Sequence, residues 1–360
     1  MSTAVAVEKN RAEAFAERMA TLMNEAALAL MISIGHRTEL FDTMAGIRAT
    51  SCEDLAEAAG LSERYVREWL GAMVTGGIVE HEPRRNTYRL PPEHAMSLTR
   101  AMSPANLAVT AQWIPLLGAV EDRIVECFRS GGGVPYAAYP RFHAVMAEES
   151  EQTVLHALLD DILPLSSGLL ARLYDGIDVL DVGCGSGRAI LLMARRFPRS
   201  RFTGCDFSFE AIATAQVAAE AAELPNLRFV VADAARLEED RAYDLVTTFD
   251  AVHDQVDPAQ VLRNIHRALR PGGVYLMQEI AGSSHVHENI DHPMGPFLYT
   301  VSCLHCMTVS LASGGAGLGA MWGEQLARRL LEEAGFTAIE RNALPHDAMN
   351  HYWTATRTPV

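Results

Sequence analysis

Asp181-Val182-Gly183-Cys184-Gly185-Ser186-Gly187 sets three glycines at alternate positions just after an acidic residue. Glycines in such a turn let backbone N–H groups approach a ligand that any Cβ would obstruct. A nicotinamide-binding loop needs its third glycine at position 188, where this chain has Arg188, so the dinucleotide fingerprint fails. An acidic residue beside the loop repels pyrophosphate but suits a ligand with an ammonium group. S-adenosylmethionine (SAM) carries an ammonium and a carboxylate and no phosphate.

Three further segments repeat the acidic theme: Gly204-Cys205-Asp206-Phe207, Val231-Ala232-Asp233-Ala234 and Phe249-Asp250-Ala251-Val252-His253-Asp254. A carboxylate such as Asp206 can accept both hydroxyls of a ribose, and Phe207 can lie against adenine. Asp233 offers an acceptor for the adenine amino group. An imidazole such as His253 titrates near neutrality and can take a proton from a reacting hydroxyl. The same histidine could instead only shape a pocket wall.

These residues need strands to bring them to one edge. Ile177–Val182, Phe202–Asp206, Leu227–Val231, Leu245–Phe249 and Val274–Gln278 read as strands, with helical patterns between them at Ala189–Arg196 and Pro258–Leu269. That alternation predicts an α/β fold, a parallel sheet with helices on both faces. The acidic residues then fall at successive strand ends, the edge where open α/β sheets bind ligands. Thr337–Arg341 and His351–Thr356 are expected to add two antiparallel strands at one edge.

On these motifs the chain resembles the class I SAM-dependent methyltransferases. The resemblance implies a Rossmann-like, seven-stranded, mostly parallel sheet whose last strand is antiparallel. It makes Asp181, Gly183, Gly185 and Gly187 the loop at the methionine end of SAM and Asp206 the ribose ligand. Phe207, Asp233 and Ala234 become adenine contacts, and Phe249 the wall beneath the sulfonium. His253-Asp254, with Leu269-Arg270-Pro271-Gly272-Gly273 and Gln278-Glu279, resembles small-molecule O-methyltransferases that carry a winged-helix dimerisation domain. That likeness implies a His253-Asp254 pair as general base and Glu279 as the group that orients the imidazole. The wider chain is also similar to an actinobacterial group of winged-helix methyltransferases, some labelled as regulators.

The remaining sequence fits that architecture. Residues 1–100 read as helices ending in a small two-stranded wing, with Ala26 to Met44 helical, Ser51 an N-cap and Glu63 to Met73 a second helix. Residues 101–170 read as a helical linker broken at Gly131-Gly132-Gly133-Val134-Pro135, and residues 171–360 as the catalytic domain. Residues 282–323 are too long for a plain connector and are expected to roof the substrate site. They contain Cys303-x-x-Cys306, His285 and His287; a metal site built from these is weighed against ordinary core packing, and no metal is expected. Pro345-His346-Asp347 and Asn350-His351 could reach the pocket or form only a turn and an edge strand.

Charge and composition set the partners. Acidic residues outnumber basic ones by 45 to 30, for a net charge of −15. Between Gly46 and Arg100 seven arginines face eight acids, whereas a groove-reading helix carries a basic excess. The winged helix is therefore expected to dimerise rather than bind nucleic acid. The competing possibility is a SAM-sensing DNA-binding regulator. No apolar run is expected to reach the ~18 residues of a membrane span. Glu8, Lys9, Arg11 and Glu13 stand where a signal peptide needs apolar residues. A cytoplasmic homodimer acting on a small molecule is the expectation, its six cysteines reduced.

Overall fold

The structure is a computed structural model and describes residues 9–358; Glu8 lies outside the described residues. The chain forms two compact units that meet in sequence between Pro115 and Leu116.

The first unit begins with a long helix, α1 (Lys9–Arg37), followed by α2 (Leu40–Gly46). The apolar spacing from Ala26 to Met44 predicts one helix, but the chain breaks at Thr38-Glu39. The Thr38 hydroxyl donates to the Ile34 carbonyl at 2.7 Å, and Glu39 takes a left-handed conformation with φ 59°. A side chain that satisfies a helix-end carbonyl competes with continuation of the helix. Ser51 accepts from the Asp54 N–H at 3.1 Å and starts α3 (Cys52–Ala59), and Gly60, at φ 64°, ends it. α4 (Glu63–Thr75) then leads into β1 (Glu80–Glu82) and β2 (Thr87–Arg89), an antiparallel wing. Residues 101–115, read from sequence as the start of a linker, lie within this unit, and Ala108 belongs to its core.

Trp69 anchors that core. It is 2% exposed and donates its indole N–H to the Met31 carbonyl at 2.9 Å. Its ring also meets Phe41 edge-on, with centroids 5.2 Å apart. The arginines of α4 are paired along their own helix, Arg64 with Glu68 at 2.5 Å and Arg67 with Glu63 at 2.7 Å. On the wing, Arg89 pairs with Glu80 at 2.5 Å. Exposed pairs of this kind stabilise little, but they cancel the charge that a phosphate backbone would need.

The second unit is a seven-stranded sheet in the order β5-β4-β3-β6-β7-β9-β8. Its strands are β3 (Asp178–Val182), β4 (Arg201–Asp206), β5 (Leu227–Val231), β6 (Tyr243–Phe249), β7 (Leu269–Ile280), β8 (Thr337–Leu344) and β9 (Asp347–Thr356). β3 to β7 pair in parallel, and β9 runs antiparallel to both neighbours. The two late strands do not both lie at the rim: β9 inserts between β7 and β8. Burial explains the order. Tyr352, Trp353 and Ala355 of β9 are buried, whereas β8 alternates between exposed and half-buried and tolerates the rim.

Alternate residues of the central strands feed two cores, one on each face. Val179, Phe202 and Leu245 pack with Ile190 and Met193 of helix Arg188–Arg196. Leu180, Val246 and Met277 pack with Leu262 and Ile265 of helix Pro258–Ala268. Strands buried on both faces read as near-continuous apolar runs, which is why the sequence shows them clearly. Their shared direction brings Asp181, Asp206 and Phe249 to one edge of the sheet.

One helical stretch, Gly295–Ala312, has the length and mean hydropathy (1.2) of a membrane span, although no uninterrupted apolar run does. Half of it is buried inside the fold, as in the core helix of a globular domain.

Trp69→Ala should destabilise the first unit by about 3–5 kcal/mol, the scale for a buried indole. Chemical denaturation followed by far-UV circular dichroism measures this. A loss below about 1 kcal/mol would mean that the helices do not depend on this contact.

Candidate active site

After β3 the chain must turn sharply into helix Arg188–Arg196, and the glycines permit it. Gly183 has φ +70° and Gly187 φ +76°, and a Cβ on either would come within 2.5 Å of Ala251 or the Phe229 ring, respectively. Gly183 and Cys184 donate their N–H groups to the Cys205 carbonyl at 2.8 and 3.0 Å, fastening the loop to β4. The Asp206 carboxylate completes the fastening. One oxygen accepts from the Gly185 N–H at 2.9 Å and the other from the Ser208 N–H at 2.8 Å. Carboxylate oxygens have further lone pairs, so Asp206 can still receive hydroxyl donors.

Asp181 is 2% exposed and accepts from the Thr247 hydroxyl at 2.7 Å. Burial, offset in part by that hydrogen bond and reinforced by Asp206, pushes its carboxyl up to about 7. A cation placed beside it would restore the ionised form. These residues border a cleft whose walls include Asp181, Gly183, Asp206, Phe207, Phe249 and Asp254.

Asp233 and Ala234 do not line that cleft. Asp233 caps a short helical turn by accepting from the Ala235 N–H at 2.9 Å, and it lies 3.5 Å from Arg236. Ala234 is buried, and its carbonyl accepts from the Asn264 amide at 3.0 Å.

His253 and Glu279 come together as a buried dyad. The imidazole Nδ1 lies 2.6 Å from a Glu279 oxygen, with the two residues 4% and 1% exposed. Glu279 also accepts from the Val252 N–H at 3.0 Å and the Trp322 indole N–H at 3.2 Å. The Cys306 side chain lies close enough to the same imidazole to influence its charge. Burial alone would lower the histidine, but the Glu279 carboxylate and Cys306 outweigh it and hold His253 well above its ordinary range. His253 does not border the cleft, whereas its neighbour Asp254 does. Asp254 accepts from the Tyr136 hydroxyl, and burial raises its carboxyl to about 6.

Residues 282–323, expected to roof the site, do not line the cleft; they pack behind the residues that do. Ser302–Cys306 forms a π-turn between helices Gly295–Val301 and Met307–Ala312. The wider turn lets two successive residues, His305 and Cys306, point inward together. His305 stacks on Phe142 with centroids 4.2 Å apart and meets the Tyr136 and Tyr139 rings edge-on. Burial among these rings drives its imidazole down to about 3. The Val134 N–H donates to the Thr308 hydroxyl at 2.8 Å, so the insertion grips the glycine-run loop that carries Tyr136 into the cleft.

Cys303, Cys306, His285 and His287 form no metal-ligand cluster among the described residues. Asp250, His253 and Glu279 are the group there whose ligand atoms all lie within 4.8 Å of one another. The three donors already on Glu279 describe that group better as a hydrogen-bond network than as an ion site. His346 and His351 do not border the cleft; they bond to the Thr153 carbonyl at 2.9 Å and to Arg341 at 3.3 Å. Sequence reasoning missed Tyr136 and Cys306 as partners of Asp254 and His253. Both contacts cross more than fifty positions, and no local pattern encodes them.

Comparison with known proteins agrees with this geometry. Residues 26–100 match the family model described as an Rv2258c-like winged HTH domain, and residues 173–335 match a methyltransferase domain. The chain thus carries a winged helix-turn-helix domain and a methyltransferase domain of the class I fold. Trans-aconitate 2-methyltransferase of Methylobacterium radiotolerans is 34% identical over 142 residues, 39% of this chain and 47% of that protein. Demethylmenaquinone methyltransferase of Listeria welshimeri is 34% identical over 106 residues, 29% of this chain and 45% of that protein. The chain spans about half the length of these curated relatives. Human N-acetylserotonin methyltransferase, solved with SAM, superposes with TM-score 0.71 over 100% of both chains at 17% identity. The mitomycin 7-O-methyltransferase MmcR gives 0.68, covering 96% of this chain and 99% of its own at 17% identity. At such identities the likeness to solved structures is one of fold.

Proposed function

We propose that this protein is a SAM-dependent methyltransferase that transfers the methyl group to a small-molecule acceptor. The observation that carries this reading is the Asp206 carboxylate, which closes the glycine loop at the head of an acidic cleft. Asp181, Gly183, Gly185 and Gly187 would hold the methionine end, Asp206 the ribose and Phe207 the adenine. Phe249 would lie beneath the sulfonium. Asp233 and Ala234, outside the cleft lining, would meet adenine only if the base extends past Phe207.

Methyl transfer is a direct displacement in which the acceptor–CH₃ bond forms as the S–CH₃ bond breaks. The protein's main task is then to align the two and exclude water. For a hydroxyl acceptor, His253 is the general base and Glu279 fixes its tautomer. Nδ1 faces Glu279, so the proton must arrive at Nε2. Asp254 would act on the loop through Tyr136 rather than on the proton. Trans-aconitate, the acceptor named for the Methylobacterium relative, is a tricarboxylate and suits an acidic cleft poorly.

The chain is read as a homodimer through its first unit. Phe15, Met19, Leu22, Met23, Leu30 and Ile34 recur at helical spacing on α1 and are all exposed. A second copy would cover them. The paired arginines of α4 argue against the regulator reading, and a mobility shift on DNA at moderate salt would restore it. The six cysteines are free, which fits a reducing cytoplasm.

Asp206→Ala should weaken SAM binding by about 1–3 kcal/mol, as charge-assisted hydrogen bonds are lost. Unchanged affinity by calorimetry in a folded variant would move the ribose site elsewhere. His253→Ala should lower turnover of a hydroxyl acceptor about a hundredfold while sparing SAM affinity. Because the imidazole is held above its ordinary range and only its neutral form accepts a proton, the wild-type rate should climb as pH rises past neutrality. A flat pH profile with near wild-type turnover in His253→Ala would make the residue a pocket wall. Replacing Phe15 and Leu22 together by glutamate should leave a folded monomer by sedimentation. An unchanged oligomeric state would refute the dimer face.

A further inference from the structure

The cleft has an unbalanced charge inventory. Four carboxyl side chains line it, Asp181, Asp206, Asp250 and Asp254, and Arg188 is the lining residue with a fixed positive charge. Arg188 is already committed, with one guanidinium nitrogen 3.0 Å from both the Ala147 carbonyl and a Glu151 oxygen. His143 stands at the exposed rim. Under the reading above, SAM engages Asp181 and Asp206. Asp250 and Asp254 remain, both on the segment that follows β6, past the Phe249 wall.

Asp250 sits in a left-handed conformation, φ 51°, which turns the chain out of the strand and toward β7. Its Oδ2 lies 3.4 Å from the Gln278 amide nitrogen, and its Oδ1 has no hydrogen-bond partner. Gln278 is 1% exposed, and its Oε1 is also without a donor. Two buried acceptors on neighbouring side chains, each lacking a donor, cost free energy that an incoming N–H would recover. Asp250 borders the cleft, and the terminal torsion of an aspartate is soft, so a small rotation of the carboxyl turns Oδ1 toward a ligand. The aromatic walls Tyr136 and Phe142 complete such a site, since ring faces attract a cation and cover an apolar body.

We propose that the acceptor is an amine-bearing molecule with a planar apolar body, its N–H or ammonium group received by Asp250 with Asp254 nearby, and that carboxylate-bearing acceptors are excluded. This rests on the methyltransferase reading. It adds the class of acceptor, which the cofactor loop does not determine. Exclusion follows from the same groups: burial holds the Asp250 carboxyl up at about 8, an ammonium beside it restores the carboxylate, and an anionic acceptor gains no such pairing and meets the remaining acidic oxygens.

Two phenols that differ in their charged end test the idea: tyramine, with an ammonium, and 3-(4-hydroxyphenyl)propionate, with a carboxylate. Binding of each is measured by calorimetry to the full-length protein saturated with S-adenosylhomocysteine. Tyramine should bind at least about tenfold tighter, and Asp250→Asn should reduce that preference to about threefold or less. Equal or tighter binding of the carboxylate overturns the proposal. So does failure of tyramine to bind at about 1 mM, or a preference unchanged in both Asp250→Asn and Asp254→Asn. Saturation with S-adenosylhomocysteine is checked first and separates the two claims: no binding there sinks the methyltransferase reading, whereas cofactor binding with a carboxylate preference sinks only the acceptor class.

Discussion

Asp206 ends β4, and its carboxylate accepts from the Gly185 N–H of the loop after β3, so a single side chain spans two neighbouring strand ends. The rest of the site depends on that bridge. The loop cannot lie close to β4 unless Gly183 and Gly187 adopt positive φ, and neither position has room for a Cβ. Close approach in turn brings Asp181 beneath the loop, where burial raises its carboxyl and leaves it dependent on a cationic partner. A parallel sheet supplies the geometry at no extra cost, because all its strands end at one edge.

The His253–Glu279 dyad belongs to a different part of the design. Glu279 lies one residue before the end of β7 and accepts three hydrogen bonds, from Val252, His253 and Trp322. That leaves little freedom to the carboxylate and fixes the imidazole ring with it. The thiol of Cys306 reaches the same ring from a π-turn in the insertion. His253 and Glu279 thus lie outside the cleft lining, and Asp254, one residue on from the histidine, holds the Tyr136 hydroxyl.

Much of this was legible in the sequence, for identifiable reasons. β3, β4, β5 and β6 are short and apolar, and each ends in an acidic residue or close to one, so their type and their shared edge could be read together. Ser51 marked a helix start by local chemistry alone. The insertion of β9 between β7 and β8 was not legible, because strand order depends on which of two late strands has two apolar faces to bury. Nor was the break at Thr38-Glu39, because the apolar helical spacing runs across it from Ala26 to Met44. Tyr136 and Cys306 escaped for a third reason: their partners are distant in sequence, and only packing of the insertion against the glycine-run loop brings them near.

The central claim is that the acidic strand ends around Asp206 form one SAM site. A crystal structure grown with S-adenosylhomocysteine tests it most directly. The account predicts the ribose hydroxyls on the Asp206 carboxylate, the methionine end against the Gly183–Gly187 loop with its ammonium toward Asp181, and the sulfur facing Phe249. Density for the ligand elsewhere, or an Asp206 carboxylate bonded only to Gly185 and Ser208 in a crystal saturated with the ligand, would contradict it.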